Sequence, residues 1–194
     1  MVTIEDVKKL RDATGISVMQ CKTALEEANG DFEKAKIILQ KKGSVIAQKK
    51  TGRQLGAGTV EAYIHNTKNV GVMVILSCET DFVAKNEEFT ALAHDIAMHI
   101  AAQNPLYLKS EDITPEAMQK AKEVFLKDIA DKPKEMQEKI LQGKIESYFK
   151  DKVLLQQAFI KDPSLTIQSL IDTATQKFGE RTEVTQFARF STRD

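Results

Sequence analysis

The chain has 194 residues, 42% of them hydrophobic and 29% charged, which allows the core of one ordinary domain or of one domain and a smaller satellite. Lys plus Arg and Asp plus Glu number 28 each, so there is no overall positive field for nucleic acid and a folded protein partner is favoured. No stretch has the apolar length of a signal peptide or a membrane span, and we expect a cytoplasmic protein that binds neither membrane nor nucleic acid directly.

Three short amphipathic helices are predicted at the N-terminal end, each with its own start and stop signals. The candidate N-caps are Thr3, Ser17 and Asp31, and the candidate ends are Gly15, Gly30 and Gly43. The apolar positions spaced three and four apart are Ile4, Val7 and Leu10, then Val18, Cys21, Leu25 and Ala28, then Phe32, Ala35, Ile38 and Leu39. A bundle this small is marginal alone, so we expect a recognition module.

A basic stretch follows the predicted helices. From Lys34 to Val60 the chain has seven basic residues and no acidic one, and three glycines loosen the second half. A solvated linker with a charged face and a contact with an acidic partner surface are both open interpretations. We expect a domain boundary here, with the three-helix module and its linker over residues 1–52 and a second domain over residues 53–194.

The apolar period changes from helical to two at Thr59, and the alternating runs on either side of residues 66–69 predict a β-hairpin that ends at Cys78. The later predicted elements are helices over Glu87–Gln103, from Pro115 towards Pro133, from there to Asp151, and over Thr166–Phe178 with Gly179 as C-cap, a turn at Asp162–Pro163, and a strand over Val184–Phe190. The predicted fold class is therefore α+β, with a small antiparallel sheet covered by helices.

Motifs for catalysis are missing from the sequence. There is no GxGxxG, P-loop, HExxH or GxSxG motif. His94 and His99 are five residues apart on one predicted helix and do not form an i, i+4 metal pair. Cys21 and Cys78 lack a CxxC spacing, so we expect both to be reduced and buried. The sequence therefore predicts neither an enzyme nor a cofactor or metal site.

The connection after Cys78 has an unusual composition for its place. Phe82 and Val83 stand directly beside Asp81, where a connecting loop is usually polar. In one interpretation Phe82 folds back into the core and Asp81 caps the following turn. In the other, a rigid corner between strand and helix presents the aromatic ring and the carboxylate to a partner.

Two segments resemble signatures of the elongation factor Ts family. They are TGISVMQCKTALEEANGDFEKA, Thr14 to Ala35, and CETDFVAKN, Cys78 to Asn86. Shorter likenesses occur at Tyr63–Asn66, Ala97–Pro105 and Phe159–Ser164, so that the resemblance covers nearly the whole chain. It implies an N-terminal module of the ubiquitin-associated type followed by an α+β core.

The resemblance also implies a function: guanine nucleotide exchange on elongation factor Tu, in its GDP-bound and nucleotide-free forms. The residues that match Thr80, Asp81, Phe82 and Val83 would press near the Mg²⁺ and phosphate sites of the partner, so that GDP leaves. By the same resemblance, Lys22 would contact the partner's nucleotide-binding domain. His65, Phe159 and Ile160 would face that domain or the partner's third domain.

This chain departs from the long members of the family, which carry two related copies of the core half. It has a single copy, like the short members that complete their core by pairing two chains, and we expect a homodimer. Two other classes remain as alternatives. The first helices alone suggest a ubiquitin-type binding adaptor, and the basic stretch suggests an RNA-binding protein. Neither alternative has a use for the corner at Asp81 and Phe82.

Overall fold

The computed structural model describes residues 2–129 and 133–193. The helices α1 (Ile4–Thr14), α2 (Val18–Glu27) and α3 (Phe32–Lys50) come first. Their predicted N-caps are confirmed, because Thr3, Ser17 and Asp31 each accept a hydrogen bond from the backbone N–H three residues further on. Gly15 ends α1 with a φ of 68°, the left-handed conformation that glycine adopts at least cost.

One apolar cluster holds these three helices together. Its buried members are Val7, Leu10, Ile16, Cys21, Ala24, Leu25, Ala28, Ala35 and Leu39. The predicted apolar faces of the helices are therefore largely confirmed. Ile4 and Val18 are exceptions, with exposures of 89% and 55%. Each is the first residue of its helix. The likeness of this part to a ubiquitin-associated fold stays a prediction.

The remaining elements are β1 (Ala57–Ile64), β2 (Val70–Cys78), α4 (Asp81–Ala84), α5 (Glu87–Gln103), α6 (Pro115–Asp128), α7 (Lys134–Lys150), β3 (Ala158–Phe159), β4 (Asp162–Thr166), α8 (Ile167–Phe178) and β5 (Glu183–Ser191). The predicted hairpin, the four later helices and the last strand are thus confirmed, with bounds within about two residues of the predicted ones except that α6 ends at Asp128. The strands β1, β2 and β5 form a small antiparallel sheet in that order, and the fold class is α+β as predicted.

The prediction that Gly43 ends the third helix is wrong, since α3 continues to Lys50. A Cβ atom at Gly43 would lie 2.9 Å from Oε1 of Gln176 and 3.5 Å from the carbonyl oxygen of Asp172. Next to it, the Ser44 hydroxyl donates a hydrogen bond of 2.6 Å to the Asp172 carboxylate. The glycine therefore serves a close approach between α3 and α8 and does not terminate the helix.

The predicted turn at Asp162–Pro163 is also displaced. Phe159 pairs with Asp162 in the antiparallel β3–β4 hairpin, so the turn consists of residues 160 and 161. The Asp162 carboxylate instead accepts hydrogen bonds from the N–H and the hydroxyl of Ser164. The Asp-Pro pair thus has local turn chemistry, but it lies inside β4.

The chain divides into two compact units. The first contains Met1–Glu61, Val74–Asp95 and Gln168–Thr185, and the second contains Ala62–Met73, Ile96–Ile167 and Gln186–Asp194. The three N-terminal helices are thus grouped with α8 and with the corner that follows β2. A separable module over residues 1–52 stays a prediction.

Candidate functional site

The corner between β2 and α4 exposes one apolar ring on a buried base. The strand ends at Cys78 and the single helical turn begins at Asp81, stabilised by a hydrogen bond from the N–H of Lys85 to the Asp81 carbonyl. Val83 is 4% exposed and anchors the turn in the core, whereas Phe82 is 85% exposed. The helical turn thus separates inward and outward side chains.

The interpretation of Phe82 as a core residue is wrong, given its exposure. The Asp81 carboxylate is not the N-cap either, because Thr80 occupies that position, with an extended backbone and no side-chain cap bond. Asp81 is exposed beside Phe82. The corner therefore presents a carboxylate and an aromatic ring side by side.

A carboxylate about one hundred residues away in sequence fixes the start of the corner. Oε2 of Glu180 accepts hydrogen bonds from the backbone N–H groups of Glu79, at 3.1 Å, and Thr80, at 3.0 Å. Oε1 of Glu180 accepts from the Thr80 hydroxyl at 2.6 Å. These backbone donors lie past the end of β2 and just before α4, where regular structure leaves them without partners.

The interaction is reciprocal, because Glu79 reaches back to the same connection between α8 and β5. Its carboxylate accepts a hydrogen bond of 2.6 Å from the backbone N–H of Arg181 and contacts the Arg53 guanidinium at 3.2 Å. The Arg181 guanidinium donates to the Arg53 carbonyl at 2.6 Å. The hydrogen bond from Arg181, followed by the contact with Arg53, holds the pKa of Glu79 below its ordinary value of 4.5.

No pattern in the sequence points to these supporting residues. Glu79, Glu180 and Arg181 read as ordinary surface charges near the ends of elements, and no spacing rule connects positions so far apart. One hint exists in hindsight: Gly179, with a φ of 71°, ends α8 and turns the chain so that the next two residues face the corner.

The basic stretch lies mostly on α3, and most of its basic side chains form ion pairs or hydrogen bonds within the chain. Lys34 and Lys36 pair with acidic residues on their own helix or at its N-cap, and Lys42 contacts the Glu27 carboxylate at 2.6 Å. Lys50 donates to the Gly179 carbonyl at 2.6 Å. Most of this stretch is therefore a structured helix face, and the linker interpretation holds only beyond Lys50.

Lys22 lies on the exposed side of α2, where it forms an i, i+4 ion pair with Glu26 at 3.8 Å. The neighbouring apolar side chains Val18 and Met19 are 55% and 74% exposed. An exposed cation beside two exposed apolar groups is a surface of the kind that protein interfaces use. The family resemblance implies a contact at Lys22, and nothing in the sequence singles out Met19.

His65 follows β1 in the turn of the hairpin, and its backbone N–H donates to the Val70 carbonyl at 2.9 Å. The ring is exposed, with Nδ1 at 3.2 Å from the Tyr63 hydroxyl. The structure therefore places this predicted residue on an exposed loop of the second unit.

Phe159 and Ile160 lie in the β3–β4 hairpin and differ in exposure. Phe159 is 6% exposed, with its ring 6.1 Å from that of His99, so the ring cannot meet a partner directly in this conformation. Ile160 is half-buried in the turn, and its N–H donates to Nδ1 of His99 at 3.4 Å. Any contribution of Phe159 to a partner contact would therefore be indirect, through Ile160.

His99 is a buried structural residue. Its Nε2 lies 2.9 Å from the side-chain oxygen of Gln157, and the Gln157 amide donates to the Asp151 carbonyl at 2.7 Å. Burial lowers the pKa of His99 from its ordinary 6.5. His94 is exposed, 3.1 Å from the Glu61 carboxylate. His99 is thus a core residue and His94 a surface residue.

Two further observations concern the part of the chain that the structure describes, residues 2–129 and 133–193. Within it, no three His, Cys, Asp or Glu side chains are close enough to hold a metal ion. No helix within it is long and apolar enough to cross a membrane.

An exposed aromatic ring and carboxylate on a corner fixed by a polar network are typical of proteins that dock on other proteins. Comparison with known proteins gives the family. The family model for elongation factor Ts matches residues 33–194. The chain is 50% identical over 190 residues to elongation factor Ts of Thermodesulfovibrio yellowstonii, covering 97% of this chain and 95% of the relative.

Two other relatives agree. Elongation factor Ts of Carboxydothermus hydrogenoformans is 46% identical over 192 residues, covering 98% of this chain and 88% of the relative. That of Thermosipho melanesiensis is 44% identical over 193 residues, with 98% of both chains covered. The chain belongs to the elongation factor Ts family, and its role lies in translation elongation.

Proposed function

We propose that the protein is a guanine nucleotide exchange factor that binds elongation factor Tu and promotes release of GDP, so that GTP can bind. It acts in the cytoplasm, without a cofactor, metal or catalytic chemistry of its own. The observation that carries the proposal is the 85% exposure of Phe82 on a corner whose backbone is fixed by hydrogen bonds and whose next residue, Val83, is buried. An apolar ring held in water by rigid neighbours is stabilised only when a partner covers it.

Each residue of the corner has a distinct part in this proposal. Phe82 enters an apolar gap of elongation factor Tu near its nucleotide, and the adjacent Asp81 carboxylate disturbs the fit of Mg²⁺ and the phosphates. Val83 is buried and anchors the turn that carries both side chains. Thr80 connects the turn to the Glu180 carboxylate and thereby fixes its direction.

The thermodynamics of exchange require reciprocity. If the factor weakens GDP binding by a given ratio, GDP weakens binding of the factor by the same ratio. The interaction of Phe82 must therefore be stronger in the nucleotide-free complex than in the GDP complex, since equal interaction in both would shift nothing. This requirement also predicts a tighter complex with nucleotide-free elongation factor Tu than with the GDP form.

Two other surfaces support docking in this proposal. Lys22, with Val18 and Met19, forms an exposed basic and apolar patch on α2, and we assign it to the nucleotide-binding domain of the partner. This assignment makes the segment over residues 1–52 a docking module. His65 and Ile160 are accessible in the second unit and can contact the same partner.

The experiment is stopped-flow release of a fluorescent GDP analogue from elongation factor Tu at limiting factor. A buried Phe side chain contributes roughly 1.5 to 3 kcal/mol, and each 1.4 kcal/mol is about tenfold. Phe82→Ala should therefore slow release by about ten- to a hundredfold. Met136→Ala is the matched control, since Met136 is an exposed apolar residue of α7. Equal release by the two variants would contradict the proposal.

We also propose a homodimer, formed through one face of the sheet. In the second unit Ile64, Met73 and Phe190 are 64%, 51% and 69% exposed. Met73 follows the buried Val72 on β2, and a Cβ atom at Gly71 would point at the Ile64 side chain. Alternation along β2 therefore puts Ile64 and Met73 together on the uncovered face.

Phe190, on the neighbouring strand β5, is a further exposed apolar side chain of the sheet. The preceding residue, Arg189, donates a hydrogen bond to the Ala101 carbonyl on α5, so Phe190 points to the side of the sheet away from that helix. A second copy of the chain would cover the face symmetrically. Light scattering should give about twice the chain mass of 21.7 kDa, and Met73→Lys should shift it towards one chain. A native protein of 21.7 kDa at micromolar concentration would refute the dimer.

A further inference from the structure

The Glu180 carboxylate lies behind the corner, where it binds Thr80, and it is not among the residues proposed to touch the partner. It lies between α8 and β5, it is half-buried, and it does not share the exposed surface of Asp81 and Phe82. Its two oxygens nevertheless accept three hydrogen bonds from two consecutive residues, Glu79 and Thr80. Hydrogen bonds to a charged acceptor are the stronger kind, so this carboxylate fixes the backbone just before α4.

We infer that Glu180 is a positioning residue for nucleotide exchange, one that holds the corner in the conformation in which Phe82 can enter the partner. This inference rests on the proposed function. The physical reason is preorganisation: without the carboxylate, the N–H groups of Glu79 and Thr80 bond to water, and the corner samples other directions. The free energy needed to order the corner again then weakens its binding to the partner.

The three donors to Glu180 allow the hydrogen-bond geometry to be tested separately from the charge of the carboxylate. Two of the three donors are backbone N–H groups that face Oε2 of Glu180, and the third is a hydroxyl that faces Oε1. A hydroxyl can accept as well as donate, whereas an N–H only donates. In Glu180→Gln the amide oxygen can face both N–H groups while the amide NH₂ donates to the Thr80 hydroxyl. The neutral variant therefore keeps the arrangement, and the alanine variant removes it.

We expect loss of the Glu180 carboxylate to disturb only the corner, because a second contact joins the same two chain segments. Glu79 holds the connection from the other side through Arg181 and Arg53, so loss of Glu180 leaves the two chain segments joined. Val83 stays anchored in the core. We therefore expect the turn to loosen at Glu79 and Thr80, with the sheet intact.

The test is a double-mutant cycle between Glu180 and Phe82. Glu180→Ala should slow GDP release roughly tenfold at limiting factor, with Glu180→Gln close to the native rate. In the Phe82→Ala background, Glu180→Ala should change the rate by less than about twofold, because the ring it positions is gone. Glu111→Ala, at an exposed glutamate of the second unit, is the control for loss of one negative charge.

Amide hydrogen exchange on the same samples reports whether the corner has loosened. Glu180→Ala should speed exchange at residues 79–84, and Glu180→Gln should not. A full additive effect of Glu180→Ala in the Phe82→Ala background would overturn the inference, as would an unchanged GDP-release rate with a loosened corner. Loss of the native rate in Glu180→Gln, with the corner still protected, would also overturn it. Phe82→Ala without effect on release would instead remove the proposed function.

Discussion

Phe82 and Phe159 are the same residue type in two predicted partner-binding segments, yet their surroundings are opposite. Phe82 is 85% exposed, whereas Phe159 is 6% exposed. On the helical turn that carries Phe82, the inward positions are filled by Val83 and Ala84. Phe159 lies on a strand of a hairpin that packs against His99. The neighbours on each element, and not the hydrophobicity of the residue, decide which ring is available to a partner.

The two rings differ in the role that we assign to them, since one is exposed for a partner and the other supports the fold. At the corner, the exposed ring would act on the partner and a polar network behind it holds it in place. At the hairpin, the ring itself is the support, and the half-buried Ile160 is the part that a partner could reach. A substitution at Phe82 should therefore change exchange, and one at Phe159 should change stability.

The largest expected effect on the fold is that of Phe159→Ala. A Phe→Ala change in a core typically costs about 3 to 5 kcal/mol, because it leaves a cavity as well as removing apolar contact. Chemical denaturation should detect this loss in the variant and no comparable loss in Phe82→Ala. If both variants were equally stable, the contrast between the two rings would be lost.

Much of this contrast lies beyond sequence reasoning. The helices, their caps and the hairpin follow from local rules, which is why Thr3, Ser17, Asp31 and Gly179 are confirmed in their predicted roles. The predicted end of α3 at Gly43 is wrong because the rule that a glycine ends a helix considers only the local chain. The need for a glycine at this position comes instead from its contacts with α8.

The candidate site is likewise predictable from the sequence only in part. The odd composition at Asp81, Phe82 and Val83 marks the corner, but the sequence left the direction of the Phe82 ring open. Glu180 and Arg181, which fix the corner, form contacts across about one hundred residues, and no periodic pattern predicts such a pair. The burial of Phe159 likewise depends on His99, some sixty residues earlier.

Asp81→Ala should have a smaller effect than the loss of the neighbouring ring. The carboxylate is exposed in the free protein, and a partly solvated charge contributes less than an inserted aromatic side chain. We expect GDP release to slow by a few-fold, roughly what about 1 kcal/mol would give. Stopped-flow release at several salt concentrations checks this, since an electrostatic contribution should weaken with salt. An effect larger than that of Phe82→Ala would reverse the assigned roles.

The smallest expected effects are losses of local stability at low pH. They occur in different pH ranges at the β3–β4 hairpin and at the corner. The pKa of His99 is lowered from 6.5 by burial, so its neutral form stabilises the fold above that value and this contribution is lost as pH falls through the lowered pKa. The pKa of Glu79 is lowered from 4.5, mainly by the Arg181 N–H, so the corner loses its contribution only as pH falls below 4.5.

Amide hydrogen exchange as a function of pH, corrected for the intrinsic rate, separates these two transitions. The β3–β4 hairpin should begin to lose protection below pH 6.5 while residues 79–84 are still protected. His99→Gln, which cannot gain a proton, should remove the transition of the hairpin. Simultaneous loosening of both regions would contradict the assignment of each transition to its own group.

Melting temperature and stopped-flow GDP release, measured on one Phe82→Ala sample, test the central claim most directly. The account predicts an almost unchanged melting temperature, because the ring is 85% exposed in the free protein. It predicts GDP release from elongation factor Tu that is about ten- to a hundredfold slower at limiting factor. A large fall in melting temperature with exchange intact at low temperature would contradict the account, since the ring would then serve the fold and not the partner.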